Sequence, residues 1–593
     1  MPQVPITGSP RKPSTDALLV VFHWAAVGAL LVSILTGLRI AADAPDAVLA
    51  RWLAPIALEG GIYQLHYLAG VTITAVALGY MLYLVRGRLA GRLLIPAAKA
   101  KAMLDRGGRQ AWRVHNVRIY YVLFGLIGLL AASGITLYLD IRPPFGVAWL
   151  LTLHLLAAYT LLGVTVLHVV AQYAFGAAGP QAGLARVGNG LLWLLKMLRP
   201  RFSRGMQATS VKLQSSPTAM VVAVATAVAA GGGLVVVDRS TLDTLPIDRI
   251  AAEQVPVLDG RGDDPAWAAG ETARISTREG ANLPGGESLV EVQAIATADT
   301  VYLKFRWEDP TRSLKHLPLI KRAGGWRLLH EQYDVEDEDI YYEDKFGVLL
   351  GRSAEIGGGS THLGPKPIDG LPGGLSGRGL HYTADGSITD MWHWKAVRSQ
   401  PAGHTDDNSF GPPAKPKPEE LAGTLRYKGG YVTDQGKASY KNNFGHQGPG
   451  GFRGPLKPAR LPADLAALQS RLAPMNLDPA ASDTVPWLMT EAETVPYSEE
   501  LDALIPEGTV IPGVLLGGAA WVGDRADLRS GAEWADGHWT LEIARKLDTG
   551  SPTDIALVPG ELVYLWVSVF DHTQTRHSRH MRPIRLELSG PEA

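Results

Sequence analysis

Histidine is the residue type in this sequence best suited to hold a redox-active metal. The chain has 593 residues with 16 histidines and no cysteine. The absence of cysteine excludes disulfides, cysteine-ligated iron–sulfur clusters, thiolate zinc sites and covalently attached c-type haem. Four histidines lie within long apolar stretches: His23, His66, His154 and His168. Imidazole is a strong axial ligand for haem iron, and b-type haem needs no cysteine.

Two of these histidines share one apolar stretch and differ in depth. His154 and His168 are 14 residues apart, which on a helix puts them on one face and roughly 21 Å apart. By depth, His66 matches His154 and His23 matches His168. The spacing therefore predicts two bis-histidine haems stacked across a bilayer. The alternatives are histidines that pack between helices and a zinc or proton-relay site, although the two levels are too far apart for one metal ion.

The elements that carry these histidines are predicted to be membrane-spanning helices. Five stretches are nearly free of charge and close to the about 20 residues that cross a hydrocarbon core: 17–37, 63–85, 119–139, 148–171 and 218–237. The first is too long for a signal-peptide core and has no cleavage site after it. The last could be a buried helix of a soluble domain, but its position after a basic segment favours a span.

Charge patterning predicts the orientation of these helices. The loops after the second and fourth stretches are rich in Lys and Arg and contain almost no acid, which is typical of cytoplasmic loops. The N-terminus is then cytoplasmic, and residues after the fifth span are extracytoplasmic. We therefore expect an inner-membrane, multi-pass protein with three parts: a helical domain over 1–215, a fifth helix over 216–240 and a periplasmic domain over 241–593.

The C-terminal part shows a different pattern. Short runs such as SLVEVQAIA, TVYLKFRWED and LVYLWVSVFD alternate apolar and polar residues, which predicts an antiparallel β-sandwich. Residues 398–520 are rich in Pro and Gly and are predicted to interrupt the sandwich, with one helix near 462–472. The net charge of -1 and the charged fraction of 19% argue against nucleic-acid binding, which needs a basic face.

The N-terminal segments resemble a known family. VFHWAAVGALLVSILTG, LHYLAG and VHNVRIYYVLFGLIGLLAASG, with the two histidines of the fourth stretch, resemble the prokaryotic di-haem cytochromes b. That group includes cytochrome b561 and the cytochrome b subunits of nickel–iron hydrogenases and formate dehydrogenases. The resemblance covers about residues 14–175. It implies electron exchange with quinones and with a partner redox centre.

The C-terminal segments resemble a second family. DDPAWAAG, VYLKFRWEDPTRS, YYEDKFGVLLG, ITDMWHWKAVR, WADGHWTLEIARKL and LWVSVFDH occur in that order, as in the haem-binding domain of the ethylbenzene dehydrogenase γ-subunit family of periplasmic molybdenum enzymes. The resemblance covers about 255–590. It implies a β-sandwich with one b haem, typically held by Met and Lys. At the corresponding places this chain has His362 and His577.

The resemblance thus implies a third, bis-histidine haem at His362 and His577. His381 and His580 are alternatives, and Met391, Lys395 and Met581 also remain open, as does a domain without haem. His393 is expected to be a packed strand residue. The remaining histidines of this part are expected at the surface or in turns: His316, His330, His404, His446, His538 and His572.

Together these patterns predict a membrane-bound b-type multihaem cytochrome. It would transfer electrons between the quinone/quinol pool and a periplasmic cytochrome or molybdenum oxidoreductase, as an electron-transfer subunit rather than a stand-alone enzyme. Two alternatives remain open. One is a stand-alone quinol-linked oxidoreductase that acts on a small external molecule. The other is a di-haem cytochrome with a haem-free, ligand-binding sensor domain.

Overall fold

The described part of the chain forms two compact units. The computed structural model describes residues 15–41, 62–87, 94–139, 141, 144, 146–175, 211–212, 217–329, 333–334, 337–338, 341–354, 381–383, 386–421, 427–445, 455–473, 476–478 and 481–590. One unit contains the long helices and the other begins at Leu242. His362, His330 and His446 lie outside the described residues.

The first unit consists of helices. They are α1 (Ala17–Ala41), α2 (Ile62–Arg86), α3 (Ala97–Asp105), α4 (Gly108–Tyr138), α5 (Val147–Phe175) and α6 (Pro217–Ser240). Within the described residues, all but the short α3 are long and apolar enough to cross a membrane, which confirms the five predicted helices. Many large apolar side chains of these helices are exposed, including Leu31, Leu156 and Val228. An apolar outer surface is what lipid-facing helices present.

Small residues let α6 pack closely against α2. A Cβ atom added at Gly79 of α2 would lie 2.9 Å from Ala227 Cβ of α6, so a larger residue there would separate the two helices. The Tyr67 hydroxyl of α2 donates a hydrogen bond to the Leu234 carbonyl of α6 at 3.0 Å. Close approach at small residues and hydrogen bonds between helices are the usual means of helix association in lipid.

The second unit is built on a sheet of 13 strands. They are β1 (Thr244–Arg249), β2 (Thr272–Arg278), β3 (Ser288–Ala296), β4 (Thr300–Glu308), β5 (Lys345–Gly351), β6 (Thr389–Lys395), β7 (Asp406–Phe410), β8 (Tyr431–Thr433), β9 (Arg529–Ala535), β10 (His538–Lys546), β11 (Val563–Phe570), β12 (Arg579–His580) and β13 (Ile584–Leu588). The main path runs β8-β7-β6-β5-β11-β13-β1-β3-β4-β10-β9, with β2 paired to β3 and β12 to β2.

The sheet folds over so that its two halves enclose one core. β1 joins the halves, because Leu245 pairs with Leu586 of β13 while Asp248 pairs with Ile295 of β3. Across the core, the Trp394 ring of β6 lies 5.8 Å from Trp307 of β4 and 4.9 Å from Trp539 of β10. Alternate residues of each strand supply this core, as in a β-sandwich. The predicted helical bundle followed by a β-sandwich is confirmed.

The main sheet extends further into the segment 398–520 than the sequence predicts. β7 and β8 both lie within that segment, and β7 pairs with β6 while β8 pairs with β7. β7 has the sequence DDNSF and lacks the apolar alternation of an ordinary strand. Its Asp406 is buried and forms ion pairs with Lys395 of the neighbouring strand β6 and with Arg525, which is 119 residues away in the sequence. A strand buried by such ion pairs leaves no periodic apolar signal.

The rest of that segment folds over a second core. It has three short helices, Pro418–Leu421, Leu465–Arg471 and Glu499–Leu504, of which the second confirms the helix predicted near 462–472. Small sheets pair strands of this segment with one another and with two strands that follow β4, Leu319–Arg322 and Gly325–Leu328. The strands of the segment are Tyr440–Asn442, Arg460–Pro462, Met489–Thr490, Thr494–Pro496, Val510–Ile511 and Val514–Leu516. Trp326, Leu468 and Trp487 are buried in this core.

Candidate cofactor sites

His66 of α2 and His154 of α5 face each other within the helical unit. Their ring centroids are 6.3 Å apart, with an angle of 72° between the ring planes. A metal–imidazole bond of about 2.0 Å, with about 1.1 Å from the ring nitrogen to the ring centre, puts the centroids of two opposed imidazole ligands about 6.2 Å apart. The separation of these two rings therefore fits two ligands of one metal ion, as in bis-histidine haem binding.

Hydrogen bonds leave the Nε2 atom of His66 as its lone-pair nitrogen. The His66 Nδ1 atom lies 3.1 Å from the Ser33 carbonyl oxygen and 2.9 Å from Thr36 Oγ1 of α1. A carbonyl oxygen only accepts, and the Thr36 hydroxyl already donates to the Val32 carbonyl at 2.7 Å. Nδ1 must therefore carry the proton, and Nε2 is free to bind a metal.

His154 has the same arrangement on the other pair of helices. Its Nδ1 atom lies 2.8 Å from Ser133 Oγ of α4, and the Ser133 hydroxyl donates to the Leu129 carbonyl at 2.8 Å. His154 Nδ1 is then the donor and His154 Nε2 the available ligand. Both rings are held by a hydroxyl on the preceding long helix, which fixes the ring orientation that metal binding needs.

Each hydroxyl is followed by a glycine that makes room for the ring. A Cβ atom at Gly37 would lie 3.0 Å from His66 Cε1, and one at Gly134 would lie 3.2 Å from His154 Cε1. The sequence analysis did not single out Thr36, Gly37, Ser133 or Gly134. The signal that could have found them is the hydroxyl–glycine pair repeated in SILTG and LAASG, each one helix before an intramembrane histidine.

The structure also brings His23 of α1 near His168 of α5. The two imidazoles are close enough to interact electrostatically. The Nδ1 atom of His168 is buried without a hydrogen-bond partner among the described residues, and the Tyr120 ring lies 5.4 Å from the His168 ring. A buried ring nitrogen without a protein partner is what a cofactor in this space would satisfy.

In the β unit, the structure places His577 beside His381, one of the alternative ligands. The ring centroids are 6.2 Å apart with 38° between the planes, again the separation of two ligands to one metal. His577 Nδ1 donates to the Ser578 carbonyl at 2.7 Å, so His577 Nε2 holds the lone pair. Burial lowers the pKa of His577 to about 3, and a neutral imidazole is the form that binds metal.

Aromatic rings surround this histidine pair. His381 stacks on Phe410 of β7 at 5.0 Å, and His577 lies 4.8 Å from Phe570 of β11. His393 of β6 is 5.4 Å from the same Phe570 ring, so it is the packed strand residue that the sequence predicts. His393 Nε2 is buried with no partner among the residues that the structure describes. Aromatic side chains therefore flank both histidines of the pair.

Three of the other candidate ligands have different surroundings. His580 Nδ1 accepts a hydrogen bond from the Val567 amide at 3.3 Å. The Lys395 ammonium is held by Asp406 and Tyr440, and a protonated amine has no lone pair for a metal. The Met391 Cε atom lies 3.7 Å from where a Cβ atom at Gly347 would be, on the face that also carries His393.

One sequence expectation about the remaining histidines is wrong. His316 is 2% exposed rather than at the surface. Its Nδ1 atom lies 3.2 Å from the Glu343 carboxylate, and its ring is edge-on to Tyr342 at 4.6 Å. Packing against Glu343 and Tyr342 buries this histidine, and no local pattern marks it.

Comparisons with known proteins agree with this division of the chain. Residues 14–187 match the family of prokaryotic cytochrome b561, and residues 264–582 match the ethylbenzene dehydrogenase family. A search of curated proteins found no significant match. Among solved structures, a family 9 carbohydrate-binding module from Caldicellulosiruptor kristjanssonii is similar at 7% identity and a TM-score of 0.20, covering 59% of this chain and 95% of the module.

A putative carbohydrate-binding protein from Bacteroides uniformis is similar at 8% identity and a TM-score of 0.23, covering 59% of this chain and all of that chain. These structural scores are too low to carry an argument. The cytochrome b561 match over residues 14–187 and the five apolar helices support a multi-pass membrane protein with a domain similar to b-type cytochromes. Since the other match spans more than half of the residues, the chain belongs to the ethylbenzene dehydrogenase family.

Proposed function

We propose that the protein transfers electrons between the quinone pool of the inner membrane and a periplasmic redox partner, using two haems in the helical unit and a third in the β unit. The observation that carries the proposal is the facing pair His66 and His154, with a ring separation of 6.3 Å. Haem iron supplies reversible one-electron chemistry at such a site.

Within the helices, we propose His66 with His154 and His23 with His168 as the two axial pairs. The first pair is supported by its ring separation and by the protonated Nδ1 atoms, which leave both Nε2 atoms as ligands. The second is supported by the proximity of the two rings and by the unpartnered His168 Nδ1. Surrounding apolar residues exclude water, and exclusion of water helps to set the potential of such a site.

In the β unit, we propose His577 as one ligand of the third haem. The sequence pattern favours His362 as the second ligand, whereas the 6.2 Å ring separation favours His381. The aromatic rings of Phe410 and Phe570 beside the two histidines support a cofactor at this place. Neutral His577 at physiological pH is consistent with this role, because burial lowers its pKa.

The charge pattern and the family matches support the positions of the partners. The basic loops favour an N-terminus in the cytoplasm and a β unit in the periplasm. The cytochrome b561 match of the helical part supports quinone as the membrane partner. The ethylbenzene dehydrogenase family supports a periplasmic cytochrome or a molybdenum oxidoreductase as the other partner. An extracytoplasmic signal from a reporter fused after Ala593 is the expected topology result, and a cytoplasmic signal would overturn this orientation.

Haem content and quinol reduction test the proposal on the full chain purified in detergent. We expect three non-covalent b haems per chain, all reduced when a quinol analogue is added without oxygen. A protein that carries no b haem would overturn the proposal. Two haems with an intact His577 site would reduce it to a two-haem cytochrome with a binding domain. Haems that no quinol reduces would remove the quinone pool from the proposal.

A further inference from the structure

Four aspartates lie close together in the β-sandwich, and none of them is a residue of the histidine sites. Asp390 lies in β6, Asp407 in β7, Asp434 directly after β8, and Asp554 in the loop between β10 and β11. Single carboxylate oxygens of Asp390, Asp407 and Asp554 all lie within 4.8 Å of one another. The Asp434 carboxyl is next to that of Asp554.

Strand alternation points two of these carboxylates into the interior. Asp390 is two residues before Trp392, whose ring lies in the core. Residues two apart in a strand point to the same face, so both side chains are on the inner face of β6. Asp407 pairs with Trp392 in the register of β6 and β7 and shares that face. Both Asp390 and Asp407 are 0% exposed. Two negative side chains on the core face of a sheet need compensating partners.

The protein satisfies only half of the oxygens in this cluster. One oxygen of each carboxylate accepts a hydrogen bond: Asp390 Oδ2 from Ile555 N at 3.0 Å, Asp407 Oδ1 from Asn408 N at 3.1 Å, Asp434 Oδ2 from Thr553 Oγ1 at 2.8 Å and Asp554 Oδ2 from Thr549 Oγ1 at 2.6 Å. The other oxygen of each is buried and receives no donor from the described residues: Asp390 Oδ1, Asp407 Oδ2, Asp434 Oδ1 and Asp554 Oδ1.

The charges are as unbalanced as the hydrogen bonds. Arg545 of β10 is fully buried, pairs with Asp390 and lies 5.0 Å above the Trp392 ring. It offsets one negative charge of the four carboxylates. Burial, together with the neighbouring charge of Asp554, raises the pKa of Asp434 to about 7, and burial raises the pKa of Asp390 to about 6. The side chains of the described residues alone therefore leave the cluster with too little positive charge.

We infer that Asp390, Asp407, Asp434 and Asp554 bind a divalent cation, and that this cation is Ca²⁺. The carboxylates of Asp390, Asp407 and Asp554 converge, Asp434 lies beside Asp554, and each of the four has an oxygen without a donor among the described residues. Carboxylate oxygens are the hard, anionic ligands that Ca²⁺ takes in its flexible shell of 6–8 oxygens. Mg²⁺ fits less well, because it requires a tighter octahedral shell and usually keeps several waters. The ion would fasten the loop after β10 to β6 and β7 and so stabilise this end of the sandwich.

A second carboxylate group in the β unit lacks this feature. Asp344, Asp571 and His572 also bring possible ligand atoms together. However, the Asp344 carboxylate already accepts hydrogen bonds from the Ser313 amide, the Trp539 indole and the His572 amide. Both oxygens of Asp344 therefore have donors, whereas each carboxylate of the first cluster has one oxygen without a donor among the described residues.

Calcium binding can be measured on the full chain in detergent. We expect about one tightly held Ca²⁺ per chain by elemental analysis. The β unit should unfold at a higher temperature in Ca²⁺ than in EGTA, followed by tryptophan fluorescence. Tb³⁺ should occupy the same site and be sensitised by the nearby Trp392, and added Ca²⁺ should quench that luminescence by displacing Tb³⁺.

Variants locate the ion. Asp407→Asn and Asp554→Asn should each weaken Ca²⁺ binding by about tenfold or more, because each removes a charged ligand. Asp536→Asn is the matched control, since Asp536 is exposed in the β9–β10 turn and Asn tolerates its positive φ of 50°. If Asp407→Asn fails to fold, the partly exposed Asp554 variant and the EGTA response of the unaltered protein still decide.

Three outcomes would overturn the inference. Unaltered protein that holds no Ca²⁺ and unfolds at the same temperature in Ca²⁺ and EGTA would show that the carboxyls share protons instead. Undiminished Ca²⁺ affinity in folded Asp407→Asn or Asp554→Asn would place the ion elsewhere. Stabilisation by Mg²⁺ but not by Ca²⁺ would overturn the identity of the ion.

Discussion

Thr36 of α1 and His66 of α2 are joined by a hydrogen bond of 2.9 Å in which the ring nitrogen Nδ1 is the donor. Ser133 of α4 and His154 of α5 repeat this relationship at 2.8 Å. Each hydroxyl donates a hydrogen bond to a carbonyl of its own helix, so it acts as the acceptor toward the imidazole ring. The helix pairs α1–α2 and α4–α5 thus present their imidazoles to one site in the same manner.

Removing either hydroxyl should change the haem without removing its ligands. Ser133→Ala takes away the acceptor of His154 Nδ1–H, and Thr36→Val takes away one of two acceptors of His66 Nδ1–H, since the Ser33 carbonyl remains. Either loss makes the imidazole a weaker electron donor, with the smaller effect at His66. We expect haem affinity to fall by about 10–100-fold, with a higher midpoint potential and altered low-spin EPR g-values. Thr36→Ser and Ser133→Thr should restore both properties.

Thr72→Ala provides the matched control for the hydroxyl variants. Thr72 is exposed on α2 and its hydroxyl donates only within its own helix, to the Leu68 carbonyl at 2.8 Å. Its loss should leave the potential unchanged. Equal potentials in Thr36→Val and in the unaltered protein would show that Thr36 does not position His66.

Gly37→Ala and Gly134→Ala should displace the same two rings sterically. The added methyl group would lie 3.0 Å from His66 Cε1 or 3.2 Å from His154 Cε1, well inside a carbon–carbon contact of about 3.5 Å. We expect a smaller reduced-minus-oxidised signal from one haem in either variant. Gly28→Ala and Gly128→Ala, on the same helices with nothing within 4 Å, should keep the full signal; a full signal in Gly37→Ala would count against close packing at His66.

The pairing of ligands predicts which single variants remove the same haem. His66→Ala and His154→Ala should each abolish one spectroscopic species, and His23→Ala and His168→Ala should abolish the other, because a haem that loses one of two axial ligands binds weakly. Potentiometric titration distinguishes the two species by their midpoint potentials. Loss of one common species in His23→Ala and His66→Ala would contradict the pairing by depth.

How far the sequence predicts the structure depends on how local the signal is. The long apolar runs around His23 and His66 predict their helices directly, and the rise of a helix predicts which histidines match in depth. The alternation of TVYLKFRWE predicts a strand for the same local reason. These features need no knowledge of distant residues.

Features that depend on tertiary contacts were not predicted from the sequence. The strand β7 contains the buried Asp406, which pairs with Lys395 of the neighbouring strand β6 and with Arg525, 119 residues away in the sequence. His316 is buried against Glu343, another residue that is not close to it in the sequence. His381 reaches His577 because it bridges to Gly429, a pairing without any local pattern. The hydroxyl–glycine pairs could have been recognised, since their repetition is visible in the sequence.

The sequence and the structure favour different second ligands for the third haem, which we propose in the β unit. His577 is common to both accounts, so His577→Ala should remove or convert to high spin the haem of the β unit. If His381 is the second ligand, as its 6.2 Å separation from His577 favours, His381→Ala should have the same effect and His362→Ala should leave the spectrum unchanged. The reverse result would assign the ligand to His362.

His393→Ala, which alters a packed strand residue beside Phe570, should lower stability more than it changes the low-spin spectrum. EPR of the full chain, in which the two membrane haems serve as internal references, measures all four variants. A β-unit signal that survives His577→Ala would remove His577 from the site.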